Sequence, residues 1–180
     1  MKYCSSCGKS VIERIPAGDN RPRFVCDHCE TIHYQNPRII AGCLPIYEDK
    51  VLLCKRAIEP RYGLWTLPAG FMENGETSIE AALRETWEEA LARVHIHGIY
   101  TLFNLPHINQ VYMIFRAELD ELKFGAGEES LEVDLFTEQD IPWNELAFPV
   151  MRKTLEFYFA DRRTGSFNVR MHDIVRPLKQ

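Results

Sequence analysis

The stretch from Gly70 to Ala92, GFMENGETSIEAALRETWEEALA, constrains this chain more than any other. It opens on a glycine turn and runs into a helix, because Thr77 suits an N-cap and Glu80, three residues on, closes a capping box. At about 100° per residue, Ile79, Ala82, Leu83, Thr86, Trp87 and Ala90 share one face, which is expected to pack inward. Glu85, Glu88 and Glu89 fall on roughly the opposite arc as i, i+3 and i, i+4 neighbours. Three like charges there repel one another, and the helix dipole disfavours anions in the same C-terminal half. A charge run is commonly just a solvated face. This crowding points instead to divalent cations, since hard ions take carboxylate oxygens.

Near the N-terminus, Cys4-Ser-Ser-Cys7 and Cys26-Asp-His-Cys29 form two Cys-x-x-Cys pairs with 18 residues between them. That spacing suits a zinc ribbon, in which each pair makes a knuckle and four thiolates close a tetrahedral site. Gly8 supports the first knuckle turn. Disulfides would need an oxidising compartment, and a redox Cys-x-x-Cys would need a βαβ setting that is absent at residue 4. Four cysteines leave no open position, so the zinc is expected to be structural. About 36 residues cannot hold together on their own core, whereas zinc is worth ~10–16 kcal/mol in finger peptides. His28 and His33 read as bystanders, and Cys43 and Cys54, set in apolar runs, as buried thiols.

The remaining chain alternates strands with helices. Tyr34-Gln35-Asn36-Pro37 is the joint, because proline pushes the residue before it extended. Strands are expected over 39–47 and 51–55 as a hairpin, then over 64–67, 94–102, 111–119 and 131–136. Pro149 opens a last helix and Gly165 lies past its end. The predicted fold is α/β, a mixed sheet sandwiched between helices and preceded by the small ribbon. Expected boundaries are 1–36 for the ribbon, 37–163 for the main domain and 164–180 for a C-terminal tail. A net charge of −5 argues against nucleic acid as the main partner. No run of about 18 apolar residues is present, and the first residues lack an apolar signal core, so a cytoplasmic protein with no membrane partner is expected.

Gly70, Glu76, Arg84-Glu85 and Glu88-Glu89 stand at the spacing of the Nudix box, and the chain resembles the hydrolases that carry it. Two positions depart from the box: Leu91 replaces its second glycine, and Thr86 takes a usually aliphatic place. A left-handed helix end normally favours glycine, so Leu91 implies a different exit from the helix. The resemblance extends further. The ribbon, YQNP, LLCKRAIEPRYGLWTLPAGFMENGET, ESLEVDLF and IPWNELAF are together similar to the plastid FAD pyrophosphohydrolases of plants and their bacterial relatives, over most of residues 1–160. Those enzymes split FAD into FMN and AMP, and several accept ADP-ribose. The NADH pyrophosphatases also join a zinc ribbon to a Nudix domain, but their SQPWPFPxS stretch has no match between Leu91 and Phe136.

The resemblance implies a Nudix α/β/α sandwich and metal-dependent hydrolysis of a dinucleotide pyrophosphate, with FAD or ADP-ribose favoured over NADH. Glu85, Glu88 and Glu89 would hold Mg²⁺ or Mn²⁺, with Arg84 orienting Glu85. The carbonyl of Ala69 and a later carboxylate, best matched by Glu132 with Glu129 behind it, would add to the metal site. Arg56 and Arg61, with neighbouring Lys55, are candidate phosphate contacts. Trp65, Phe71 and Tyr112 are candidate stacking platforms, although buried aromatics are commoner. His95 and His97 read as a solvated strand face, and His107 has no discernible role. The expected partner is a small nucleoside diphosphate derivative, with a homodimer left open. A different class of protein, a ligand-sensing or partner-binding module without catalysis, would be expected had the glutamates been lost; all three are present.

Overall fold

A computed structural model describes residues 1–175, in two compact units, Met1–Pro37 and Arg38–Gln180. The first unit is a three-stranded antiparallel sheet of β1 (Ile12–Arg14), β2 (Arg23–Val25) and β3 (Ile32–His33), in that order. β1 is exposed throughout, and the buried apolar residues of the unit come down to Cys4, Val25 and Cys26. So small a core cannot offset the entropy of ordering the segment.

The second unit is built on a mixed sheet of eight strands. Its long strands are β4 (Arg38–Tyr47), β5 (Lys50–Arg56), β8 (Val94–Leu105), β9 (Gln110–Leu119) and β10 (Ser130–Phe136). The short ones are β6 (Trp65–Thr66), β7 (Ala69–Phe71) and β11 (Arg170–Asp173). The order is β10-β5-β4-β9-β8-β11, with β6 beside β5 and β7 beside β4. β4 runs parallel to β9 and β11 parallel to β8; the other neighbours are antiparallel. Alternation of side chains along the central strands makes two cores. Ile40, Leu44, Val51, Leu53 and Ile114 face helix α2 (Pro149–Arg162), with its Val150, Met151, Leu155 and Phe159. Ala41, Cys43, Leu52, Cys54 and Ala117 face helix α1 (Ser78–Ala90). The result is the expected α/β/α sandwich.

Three expectations are corrected. Helix α1 buries Ala81, Ala82, Thr86, Glu89 and Ala90, while Ile79, Leu83 and Trp87 remain 46%, 38% and 46% exposed. The helix is thus rolled toward its glutamates. Small alanines let it lie close on the sheet, which brings carboxylates to the strands at the expense of burying larger side chains. The strand expected over 64–67 shrinks to β6, and β7 follows it beside β4, where a Cβ on Gly42 would overlap Ala69 and Pro68. The expected tail contains β11, tied down by Asp161 of α2. That carboxylate accepts from the Tyr100 hydroxyl at 2.8 Å and from Arg170 Nε at 3.1 Å. Residues 176–180 of that expected tail lie outside the described residues. No helix among the described residues is long and apolar enough to cross a membrane.

The capping box at the start of α1 is formed, with Thr77 Oγ1 accepting from Glu80 N–H at 3.2 Å and Glu80 accepting from Thr77 N–H at 2.7 Å. At the other end Leu91 adopts a left-handed conformation (φ 48°, ψ 28°) and donates its N–H to the Trp87 carbonyl at 2.8 Å. The helix therefore ends where a box glycine would end it, despite the leucine. A left-handed L-residue costs about 1–2 kcal/mol, and glycine's extra unfolded-state freedom returns about half of that. Leu91→Gly is expected to stabilise the protein by about 0.5–1 kcal/mol, raising Tm by about 2 °C in a thermal melt. A lower Tm would show that the packing of the leucine outweighs its strain.

Candidate active site

Glycine at position 70 is explained by what stands next to it. Its φ is ordinary, but a Cβ there would overlap the carboxyl group of Glu85. β7 thus passes directly over the acidic face of α1. One residue earlier, the Ala69 N–H donates to Glu89 Oε2 at 3.1 Å.

Arg84 organises the remaining carboxylates. Its Nε and Nη2 grip both oxygens of Glu76 at 3.1 and 2.7 Å, and Nη1 bonds Glu85 Oε1 at 2.7 Å and Glu88 Oε2 at 3.0 Å. Nη2 also donates to the Phe71 carbonyl at 3.1 Å, tying the helix to β7. A planar guanidinium suits this work, because its fork meets several carboxylates in one plane. The Arg84 contact holds the Glu76 carboxyl below its ordinary range. Glu85 is raised, by burial first and with Glu88 and Glu129 adding to it against the pull of Arg84. Glu89 is pushed up to about 8 by burial, with Glu85 and Glu129 adding to it against the Ala69 N–H and the charge of Arg56.

Arg84, Glu85, Glu88 and Glu89 line a cleft of about 1390 Å³, which Glu76, bonded to Arg84, does not reach. It is lined by α1 and β7, including Ala69, Phe71, Glu85, Glu88 and Glu89, by the loop through Glu128 and Glu129, and by the segment from Arg56 to Arg61. Apolar lining comes from Ile40, Leu105, Tyr112, Val150, Met151 and Ile174. Of the anticipated contacts, Arg56, Arg61, Phe71 and Tyr112 line this cleft, and half-exposed Phe71 has the Arg38 guanidinium over its ring, 4.8 Å from the centroid. Trp65 does not line it. It is a core residue edge-on to Phe136 at 4.9 Å. Glu132 is absent from the lining too; it pairs with Lys55 at 3.4 Å across β10 and β5. Glu129, the second choice from the sequence, does line the cleft and is a charged neighbour of Glu85 and Glu89. A register shift between Ser130 and Glu132 separates the start of β10 from the regular ladder, which sequence alternation could not reveal. Glu76 and Ile174 were not singled out from the sequence as site residues: Glu76 is bonded to Arg84 and to the Glu73 N–H, and Ile174 follows a strand formed by distant pairing.

The acidic cluster fits a hard divalent cation. Buried Glu89 has Glu85 and Glu129 as charged neighbours, and the groups available are the carboxylate oxygens such ions prefer. The cysteines fit zinc. Cys4 and Cys29 Sγ stand 3.6 Å apart, Cys7 and Cys26 3.5 Å, and all four within 4.8 Å of one another. Tetrahedral zinc with sulfur at about 2.3 Å requires S···S separations of about 3.8 Å. His33 is not among the four clustered groups, as expected, but it is buried beside them and places Nε2 3.3 Å from Cys4 Sγ, in hydrogen-bond reach. Cys43 and Cys54 are buried core thiols, as expected.

The zinc-ribbon family described as Nudix N-terminal matches residues 2–35, and the NUDIX domain family matches residues 36–158. The chain is similar to a NUDIX hydrolase from Nitrosomonas europaea of known crystal structure, with 57% identity, a TM-score of 0.94, and coverage of 98% of this chain and 100% of the other. It is 30% identical over 158 residues to the NAD-capped RNA hydrolase NudC of Escherichia coli, covering 86% of this chain. The match spans 59% of the length of that relative. An ADP-ribose pyrophosphatase from Streptococcus suis shares the fold, with a TM-score of 0.60 at 18% identity over 77% of this chain and 100% of the other.

Two outcomes are expected from this geometry. Purified protein should carry one zinc per chain by elemental analysis, and Cys26→Ser should carry clearly less; a full equivalent in that variant would remove the four-cysteine site. The second concerns pH in EDTA. The native pKa of Glu89, about 8, lies above the unstrained 4.5, so the native state holds the proton more tightly. Stability from this group is therefore complete below pH 4.5 and is lost as pH rises toward 8. Glu89→Gln carries no such loss. Its stability relative to the parent should rise through that window, by on the order of a few kcal/mol at pH 8, seen as a growing Tm difference in thermal melts. A pH-independent difference would contradict the burial argument.

Proposed function

The chain belongs to the Nudix family, a Nudix zinc ribbon followed by a NUDIX domain, and on that basis we propose that it hydrolyses the pyrophosphate bond of a dinucleotide-type nucleoside diphosphate derivative. The observation that carries the reading is the pairing of an acidic cluster with a large cleft. At about 1390 Å³ the cleft exceeds the roughly 300–1,000 Å³ of ordinary small-molecule sites. An aromatic, Phe71, and two arginines, Arg56 and Arg61, line it with the carboxylates, the groups that a ligand with an aromatic end and a charged centre requires.

In this reading Glu85, Glu88, Glu89 and Glu129, with the Ala69 carbonyl, would hold Mg²⁺ or Mn²⁺. The ions, when bound, cancel pyrophosphate charge and lower the pKa of the attacking water. Arg84 holds Glu85 and Glu88 in place, Glu76 holds Arg84, and the Ala69 N–H holds Glu89. Arg56 and Arg61 receive the phosphates. One cleft carboxylate takes the proton of the water as a P–O bond of the bridge breaks, and the bridging oxygen leaves with the second phosphate. The ribbon serves as a zinc-stapled unit outside this chemistry.

FAD and ADP-ribose remain candidate substrates on the sequence resemblance. A nicotinamide dinucleotide now stands equally with them, because the curated relatives are named for hydrolysing NAD-capped RNA. That name also removes the ground for expecting no nucleic-acid partner.

Turnover assays with Mg²⁺ or Mn²⁺ should yield two monophosphates, such as FMN and AMP from FAD, or NMN and AMP from NAD. Glu85→Gln and Glu89→Gln should each lose about 10²–10⁴-fold in kcat. Release of pyrophosphate from nucleoside triphosphates at a far higher kcat/KM, or near-parental turnover in Glu89→Gln, would overturn the proposal.

A further inference from the structure

The C-terminal carbonyls of a helix lack intrahelical partners and are commonly capped from within the chain's own next turn. In α1 that turn supplies only the Leu91 N–H, to Trp87. Two further carbonyls are capped from a loop more than thirty residues away. The Gly125 N–H donates to Ala90 O at 2.8 Å and the Gly127 N–H to Glu89 O at 3.1 Å. The same loop is tied at its far side, where Ser130 N–H donates to Gly127 O at 3.1 Å and Ala57 N–H to Glu129 O at 2.8 Å.

The two glycines differ in kind. Neither has a left-handed φ, so neither is required by backbone conformation. A Cβ on Gly125 would meet only Leu91 Cδ1, at an ordinary 3.8 Å. A Cβ on Gly127 would overlap the carbonyl oxygen of Glu88, a backbone atom of a well-packed helix that cannot step aside. Only a residue without a side chain lets the loop reach α1. Two residues later the loop delivers Glu129 to the cleft, among carboxylates that repel it.

We propose that Gly127 is a positioning residue: its missing Cβ lets the loop seat on the carbonyl end of α1, and that seating holds Glu129 in the cleft near Glu85 and Glu89. The inference rests on the metal-site reading of those carboxylates. It makes the end of the helix, through main-chain bonds rather than side chains, part of the machinery that completes the cluster.

The test is Mn²⁺ binding to the full chain, followed by electron paramagnetic resonance of the unbound ion, with circular dichroism in EDTA to confirm folding. Gly127→Ala and Glu129→Gln should each weaken Mn²⁺ about tenfold or more, as loss of a supporting contact to a metal site does. Gly125→Ala, which keeps its N–H and lies off the cleft, should bind as the parent does. Because Gly127 acts through Glu129, the double variant should be little worse than either single one. In turnover, Gly127→Ala should lower kcat and raise the Mg²⁺ requirement, with KM for the nucleotide at saturating metal nearly unchanged. Should Gly127→Ala fail to fold, a glycine inserted between Gly127 and Glu128 slackens the same tie without a clash, and it too should weaken Mn²⁺. Parental Mn²⁺ affinity in Gly127→Ala or in the insertion, or losses that multiply in the double variant, would overturn the proposal. If Glu85→Gln and Glu89→Gln themselves bind Mn²⁺ as the parent does, the metal-site reading falls first. If those two lose the ion while Gly127→Ala and Glu129→Gln do not, only the present inference falls.

Discussion

Everything in the second unit depends on how closely main chain can be brought to the acidic face of α1. β7 lies over it because Gly70 leaves room for the Glu85 carboxyl, and the loop before β10 lies on its end because Gly127 leaves room for the Glu88 carbonyl. Neither glycine is there for a special φ. Each removes a methyl-sized volume at a place where a backbone must pass within contact distance of another group. Ala81, Ala82 and Ala90 do the same on the buried side, letting the helix settle on β4 and its neighbours. Close packing of this kind tolerates little displacement, since interiors have few voids to absorb it.

That closeness has an electrostatic cost, and the fold meets it with a single guanidinium. Glu85 and Glu89 are drawn out of water and set near Glu88 and Glu129. Arg84 answers for Glu76, Glu85 and Glu88 at once and also clasps β7 through the Phe71 carbonyl. It does not reach Glu89, whose bonded partner is the Ala69 N–H. Burial of a carboxylate with so little compensation raises its proton affinity, and sites with such shifts are often functional. The ribbon poses the same problem with sulfur. Four thiols within 4.8 Å of one another gain from a shared cation what a core of three buried apolar residues cannot supply.

The rolled helix shows where periodicity misleads. Ile79, Leu83 and Trp87 share a helical face with Ala82, Thr86 and Ala90, and hydrophobicity alone would bury them all. The structure sides with the alanines and Glu89 and leaves the three large residues half in solvent. A moment computed along one helix weighs transfer free energy, whereas a site weighs reach, and here reach decides. Trp65 makes the converse point. It sits among residues that touch the cleft, yet the strand pairing of β6 with β5 turns it against Phe136 in the core.

The sequence by itself determined the cysteine quartet, the capping box, the charged positions of the helix and the order of strands and helices. All of these are local: they depend on spacing within one segment, and hydrogen-bond geometry and helical pitch are the same in any fold. Only the tertiary structure decided that Glu129 rather than Glu132 faces the cleft, that His33 touches a cysteine ligand, that Ile174, just after β11, lines the cleft, and why position 127 is glycine. Each of these joins residues far apart in the chain through a register shift, a strand pairing or a backbone contact. Such contacts are set by how whole elements pack, and no single segment carries the information.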